Sequence, residues 1–173
     1  MDHREENPIG RRRGYTLLEI ILASALLTTM ATAAAVILRG GHMAWLAHEQ
    51  DLAATESAQA VLRHIVRQAR QAQAVSAISP ASATSGTLSL VMPSGQTYVW
   101  AHDSTTDTVN FGIGQADNFL ADGISSLTFV GYERDTVTTT IAVSDIRLIE
   151  ARATIQRATG SQIVSCKAWI RTW

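Results

Sequence analysis

The chain has 173 residues, which is enough for one compact domain and an additional extended element. Its formal net charge of -1 gives no global basic field, and this argues against nucleic-acid binding driven by bulk charge. The single cysteine, Cys166, excludes an intramolecular disulfide. A lone cysteine of this kind is more often a small buried apolar residue than a reactive thiol.

Charge and hydropathy divide the chain into three parts. Residues 1–14 carry arginines and acidic residues and contain no apolar run. Residues 15–38 contain one charge, Glu19, and the remainder has the mixed composition of a soluble domain. We therefore expect a polar leader, an apolar helix and a globular body.

The apolar segment 15–38 contains neither proline nor glycine. As a helix it would be about 36 Å long, which exceeds the hydrocarbon core of about 30 Å. A cluster of three arginines, residues 11–13, precedes it, and Arg39 follows it. The positive-inside rule then predicts a cytoplasmic N-terminus, a single-pass helix in the inner membrane, and a body on the extracytoplasmic or periplasmic side.

Glu19 is the informative residue of this segment, because it lies about one helical turn inside the apolar run. A carboxylate costs about 2.5–3.5 kcal/mol at the centre of a bilayer, and less near an interface. An ionisable group in such a place predicts a functional site with a charged partner. A glutamate that snorkels to the interface is the alternative interpretation.

The run Gly14-Tyr15-Thr16-Leu17-Leu18-Glu19, with its basic leader and apolar continuation, resembles the N-terminal signature of type IV prepilins and type II secretion pseudopilins. Tyr15 stands where phenylalanine is commonest. The resemblance implies a pilin-like fold and cleavage by a prepilin peptidase between Gly14 and Tyr15. It also implies N-methylation of Tyr15 and pairing of Glu19 with the N-terminal amine of a neighbouring subunit.

The same resemblance implies the partners of the protein. These are the prepilin peptidase, which is also the N-methyltransferase, other pilins or pseudopilins, and the inner membrane. We expect no nucleic-acid partner and no small-molecule substrate. Segment 120–132 is similar to a recurring segment of J-type minor pseudopilins and large minor pilins, which favours a minor subunit. Glu19 argues against the tip-capping type of pseudopilin, which usually lacks that glutamate.

Two other interpretations of the N-terminus stay open. An ordinary secretory signal peptide has a basic start and an apolar run, and Met30-Ala31-Thr32-Ala33 supplies a possible cleavage site. Such a cut would release a secreted domain and discard Glu19. An uncut single-span anchor is the other possibility, and it would make the protein a membrane-anchored binding or sensor module that does not polymerise.

Residues 39–80 are predicted to continue the helix as an amphipathic segment, with a weak point at Gly40-Gly41. Arg63, Arg67 and Arg70 are expected on its solvated face. Apolar residues recur at spacings of three and four along an expected buried stripe: Ala58, Val61, Leu62, Ile65, Ala69 and Ala72.

Residues 81–173 are predicted to form a β-rich body. Alternating apolar residues indicate strands near 87–92, near 98–100 and over 124–132, and a hairpin over 149–170. Residues 103–123 are expected to form a loop around one short strand near 109–111. The predicted fold class is α+β, with the long N-terminal helix packed on an antiparallel sheet.

The sequence carries no pattern that predicts an enzyme or a cofactor site. His48-Glu49 lacks the second histidine of a zinc protease helix, and Gly112-Ile113-Gly114 lacks the third glycine of a dinucleotide loop. Asp117, Asn118 and Asp122 have oxygen ligands for calcium, but turn residues are the simpler interpretation. We expect a structural protein without catalytic residues, metal or cofactor.

Overall fold

The computed structural model describes residues 14–157 and 160–171. Within these residues one helix is followed only by strands, which confirms the α+β class. The elements in chain order are α1 (Leu17–Ala69), β1 (Ala74–Ile78), β2 (Thr87–Val91), β3 (Thr97–Asp103), β4 (Thr108–Ile113), β5 (Asn118–Ala121), β6 (Ser126–Tyr132), β7 (Thr139–Thr140), β8 (Leu148–Arg157) and β9 (Gly160–Trp169).

The chain divides into two compact units between Trp45 and Leu46. The described part of the first unit consists of residues 14–16 and the start of α1, and every residue from 14 to 45 is exposed. Gly40 and Gly41 both lie inside this helix, so the helix continues through the predicted weak point.

The second unit begins with the remainder of α1, which packs on antiparallel sheets. The apolar stripe predicted for this segment is buried, and Val61 and Ile65 are at most 1% exposed. Arg63, Arg67 and Arg70 are exposed, as predicted. This half of the helix is therefore held by the apolar face that it buries.

The predicted C-terminal end of the helix is wrong. The helix stops at Ala69, and Ala74–Ile78 forms strand β1 within the segment 39–80 that was expected to be helical. Strand β1 pairs antiparallel with β2, with Val75 opposite Leu90, and Val75 is buried. Pairing with β2 thus outweighs the helix-forming tendency of this alanine-rich stretch.

The described residues of the body form two antiparallel sheets. One has the strand order β1-β2-β3-β4-β5 and the other the order β7-β6-β8-β9. A parallel bridge between Ser85 and Leu127, with a hydrogen bond of 2.7 Å from the Gly86 amide to the Leu127 carbonyl, connects them. Both sheets and the second half of α1 contribute to one hydrophobic core.

The strand predictions are largely confirmed. Leu88, Leu90 and Trp100 are fully buried, strand β6 lies within the predicted segment 124–132, and β8 and β9 form the predicted hairpin. The predicted loop 103–123 contains one strand more than expected, because β5 pairs with β4. Strand β5 has only four residues and leaves Phe119 64% exposed, so it lacks a clear alternating pattern.

Gly112 and Gly114 have a steric role at the end of β4. A Cβ atom at Gly112 would collide with the carbonyl oxygen of Gln115, and Gly114 has a φ of 80°. Glycine accepts both conditions without strain. These two glycines therefore serve the turn between β4 and β5.

An aromatic cluster connects α1 to the five-stranded sheet. The indole nitrogen of Trp100 donates a hydrogen bond of 3.1 Å to Nδ1 of His64. The His64 ring also meets Phe111 edge-on, with ring centroids 4.7 Å apart. Burial, and secondarily the charge of Arg67, lowers the pKa of His64. The His64 imidazole, which accepts the hydrogen bond from the indole N–H, is accordingly in its neutral form.

A buried carboxylate ties three strands of the other sheet together. Glu150 is 6% exposed, accepts a hydrogen bond of 2.6 Å from the Tyr132 hydroxyl, and accepts one of 2.8 Å from Arg152 Nε. The Lys167 ammonium lies 3.6 Å from it. The hydrogen bond from Arg152, with further contributions from Tyr132 and Lys167, lowers the pKa of Glu150 to about 2.

We expect Glu150→Gln to lower the free energy of unfolding at pH 7 by about 1–2 kcal/mol. The loss is smaller than the full pKa shift implies, because the Arg152 and Lys167 side chains are about half exposed. A carboxyl whose pKa falls from 4.5 to about 2 on folding stabilises the fold above pH 4.5. That stabilisation is lost as the pH falls from 4.5 towards 2.

Urea unfolding of the full chain in detergent at a series of pH values measures this effect. The Glu150→Gln variant should show a flatter dependence on pH than the wild type in that acidic window. The exposed Glu56→Gln is the matched control and should follow the wild type. Equal acid sensitivity of wild type and Glu150→Gln would contradict the assigned role of the carboxylate.

Candidate assembly site on the N-terminal helix

The start of α1 is fixed by Thr16. Its side-chain oxygen accepts a hydrogen bond of 3.3 Å from the Glu19 amide, and its carbonyl accepts one of 3.1 Å from the same amide. Threonine followed three residues later by glutamate is the sequence of a capping box. The sequence predictions did not include this helix start, although the spacing of Thr16 and Glu19 is a sequence signal for it.

Glu19 lies in the first turn of α1, where the helix dipole favours a negative charge. It is exposed and borders a shallow hollow on one face of the helix, together with Tyr15, Ile20, Ala23, Ser24 and Leu27. Within residues 14–157 and 160–171, no ion pair involves Glu19. The predicted site residues Tyr15 and Glu19 therefore share one surface, and a partner for the carboxylate would have to come from another molecule or from outside these residues.

Four hydroxyl groups of the apolar segment donate hydrogen bonds to carbonyls of the helix itself. Ser24 donates to the Ile21 carbonyl at 2.9 Å, and Thr32 donates to the Thr28 carbonyl at 2.7 Å. Thr28 and Thr29 donate in the same way to carbonyls three residues back. A hydroxyl bonded in this way needs no water, so these residues are compatible with a hydrocarbon environment.

Helix α1 is long and apolar enough to cross a membrane, with a mean hydropathy of 2.2 in its most apolar window. None of the residues in that window is buried by the protein. A core helix of a soluble domain would be covered, whereas this one presents its aliphatic side chains without a protein neighbour. The prediction of an apolar N-terminal helix able to anchor the chain is confirmed at this level.

The start of the predicted processing signal is only partly covered by the described residues. The arginine cluster 11–13 and the leader before Gly14 lie outside them. Gly14 is exposed, and a Cβ atom added to it would have no neighbour within 4 Å. The surroundings of Gly14 therefore place no steric demand on that residue.

The candidate ligand and nucleophile residues of the body do not assemble into a site. Among the described residues there is no group of three or more histidine, cysteine, aspartate or glutamate side chains placed to hold a metal. Asp117, Asn118 and Asp122 are exposed around strand β5. The thiol of Cys166 is partly buried, lies 3.8 Å from the Leu62 carbonyl, and has its pKa raised to about 11 by burial. A thiol with that pKa is a poor nucleophile at neutral pH.

Comparisons with family models, with curated proteins and with solved structures found no match to this chain. The architecture is an α+β layout consistent with that of pilins, with one long N-terminal helix followed by antiparallel sheets.

Proposed function

We propose that the chain is a structural subunit of a bacterial type IV pilus or type II secretion pseudopilus. One observation carries the proposal: an uncovered apolar helix begins directly after Gly14-Tyr15-Thr16 and holds a single carboxylate, Glu19, in its first turn. In this proposal the prepilin peptidase cuts between Gly14 and Tyr15 and methylates the new amine. The protein acts as an assembly element and not as an enzyme.

The physical basis is the exposed apolar surface of the helix. Leu18, Leu22 and Leu26 are all more than half exposed. In water such a surface would associate, so lipid tails or the helices of neighbouring subunits must cover it. Before assembly the helix lies in the inner membrane, with the N-terminus in the cytoplasm and the body on the outer side. In the filament, other pilins or pseudopilins replace the lipid.

Glu19 gives the assembly its register. In a low-dielectric bundle an unpaired carboxylate and an unpaired ammonium are each expensive, and their pairing offsets both costs. The methylated amine of Tyr15 in a neighbouring subunit supplies the cation. The similarity of segment 120–132 to J-type minor pseudopilins supports a minor subunit. No cofactor, small-molecule substrate or nucleic acid has a part in this role.

A second function is favoured by the helix start. The Thr16–Glu19 pair has the sequence of a capping box, so Glu19 can serve the start of α1 without any intermolecular role. The same helix would then anchor a binding or sensor module that does not polymerise. The two functions differ in whether the leader is removed.

The test is the N-terminal sequence of the protein taken from cells that contain a prepilin peptidase. We expect a mature chain that begins at N-methylated Tyr15. Gly14→Val should block the cut, because a branched side chain replaces the glycine that precedes it, whereas Gly10→Val should leave it unchanged. An intact Met1 would favour the anchored module, and a start near Ala34 would indicate signal peptidase; either result contradicts the proposal.

A further inference from the structure

A groove lies between the second half of α1 and strand β9, entirely within the second unit. Its volume is about 870 Å³. We name it the arginine groove. Its lining includes four arginines, Arg63, Arg67, Arg70 and Arg171, together with Leu62 on the helix side and Cys166 on the strand side.

The apolar lining of the arginine groove comes from both sides. Leu62 is 3% exposed, and Val66, Val164 and Cys166 pack as partly buried residues against the core. The Cys166 thiol approaches the Leu62 carbonyl at 3.8 Å, which brings the strand close to the helix at this point. A ligand in the groove would therefore remove apolar surface from water.

The charged lining has one sign. Arg63 and Arg67 are exposed on the helix, Arg70 is exposed directly after its end, and Arg171 is exposed on the strand side. In the part of the chain that the structure describes, both ion pairs involve Glu150, so neither neutralises the groove. Four guanidinium groups around one apolar groove favour an anionic ligand that also carries aliphatic carbons.

The strand side of the groove is the edge of a sheet. Strand β9 ends the order β7-β6-β8-β9 and has ten residues. Among the described residues, its backbone hydrogen bonds are those of the ladder with β8. Alternate residues of such an edge direct unpaired N–H and C=O groups outward, where an extended chain can pair with them.

The spacing of the arginines matches an extended peptide. Arg63 and Arg67 are four residues apart on the helix, which corresponds to about 6 Å along its axis. Alternate side chains of a β-strand are about 6.7 Å apart. Carboxylates at every second position of an added strand that runs along the helix therefore have nearly the same spacing as these two arginines, while the residues between them face away.

We propose that the arginine groove binds an extended acidic segment of a partner protein, which adds to the free edge of β9 as a strand. The guanidinium groups pair with its carboxylates, and the apolar lining covers its aliphatic carbons. This binding site concerns the body alone and does not depend on cleavage of the leader or on the pairing of Glu19.

An acidic peptide fits this surface better than a nucleic acid does. Single-stranded nucleic acids are bound on aromatic side chains that stack with bases, and none of the described residues that line the groove is aromatic. The apolar contacts and the open strand edge would also remain unused by a phosphate backbone. These features together favour a polypeptide ligand.

Fluorescence anisotropy with the full chain in detergent micelles tests the proposal. The probe is a fluorescein-labelled peptide of three Glu-Val repeats. We expect a Kd of about 10–100 µM, and Arg67→Glu should weaken binding at least about tenfold. Arg134→Glu is the matched control, because Arg134 is an exposed arginine outside the groove, and it should change the affinity less than about twofold.

Two further probes separate strand addition from simple charge attraction. The same peptide with N-methylated backbone amides should lose at least about tenfold in affinity, because it cannot complete the ladder. Hydrogen exchange of the β9 amides should slow when the unmodified peptide is bound. A Lys-Val peptide should not bind.

Several results would overturn the proposal. One is the absence of binding up to about 1 mM of the Glu-Val peptide, the weak end of specific association. Another is an N-methylated peptide that binds as tightly as the unmodified one. A third is an equal loss of peptide affinity in the Arg67→Glu and Arg134→Glu variants. Displacement of the peptide by oligodeoxythymidylate at lower concentration would assign the groove to nucleic acid instead.

Discussion

Glu19→Ala is expected to leave cleavage after Gly14 intact and to reduce incorporation into filaments at least about tenfold. The proposed pairing leaves a buried ammonium without a partner when the carboxylate is removed, and one unpaired charge in low dielectric costs several kcal/mol. Each 1.4 kcal/mol corresponds to about a factor of ten in an equilibrium. The ratio of the protein in the sheared filament fraction to that in the membrane fraction, measured by quantitative immunoblot, reports the loss.

The choice of replacement separates assembly from helix capping. Glu19→Gln retains a residue that completes a capping box but carries no charge, whereas Glu19→Asp retains the charge. The assembly role requires that Glu19→Gln fail like the alanine variant and that Glu19→Asp restore part of the incorporation. Glu49→Ala, at an exposed position in the same helix, should assemble normally. Normal assembly of Glu19→Gln would assign the residue to the helix start alone.

Trp100→Ala is expected to lower the free energy of unfolding of the body by about 3–5 kcal/mol. Trp100 is fully buried between α1 and the five-stranded sheet, and its ring lies 5.0 Å from that of Phe111 between centroids. Truncation removes this contact area and leaves a cavity. It also removes the hydrogen bond that the Trp100 indole donates to His64. Chemical unfolding followed by far-UV circular dichroism measures the change.

Trp169→Ala is the matched control for this substitution. Trp169 lies in strand β9 of the same body and is 52% exposed, so its loss should cost less than about 1 kcal/mol. Trp100→Phe keeps an aromatic ring, so its loss in the free energy of unfolding should lie between those of Trp100→Ala and Trp169→Ala. Similar destabilisation by Trp100→Ala and Trp169→Ala would show that the aromatic cluster does not hold the helix on the sheet.

Local periodicity was sufficient to predict most of the fold. Spacings of three and four placed the buried stripe of α1 around Val61 and Ile65, and strict alternation placed the β8–β9 hairpin. The predictions fail where pairing with a strand that is distant in sequence determines the secondary structure. The local sequence around Val75 predicts a helix, but pairing with Leu90 makes this segment a strand. Strand β5 likewise depends on its pairing with β4.

The candidate sites also differ in how far a local pattern can indicate them, and the roles of Gly14, Tyr15 and Glu19 stay predictions. Gly14, Tyr15 and Glu19 are close in sequence, so one short pattern predicts them and their chemistry. The hydrogen bond between Tyr132 and Glu150 joins residues 18 positions apart, and the one between His64 and Trp100 joins residues 36 positions apart. Arg63 and Arg171 line one groove only because α1 lies beside β9. No local pattern predicts such neighbours.

The hydroxyl groups of the apolar segment have a mechanical consequence. Ser24 and Thr28 donate to carbonyls that also belong to the helical ladder, and such competition weakens individual backbone bonds and favours bending. Between Ser24 and Thr32 the helix therefore bends at a lower cost in energy than an all-leucine span of the same length would.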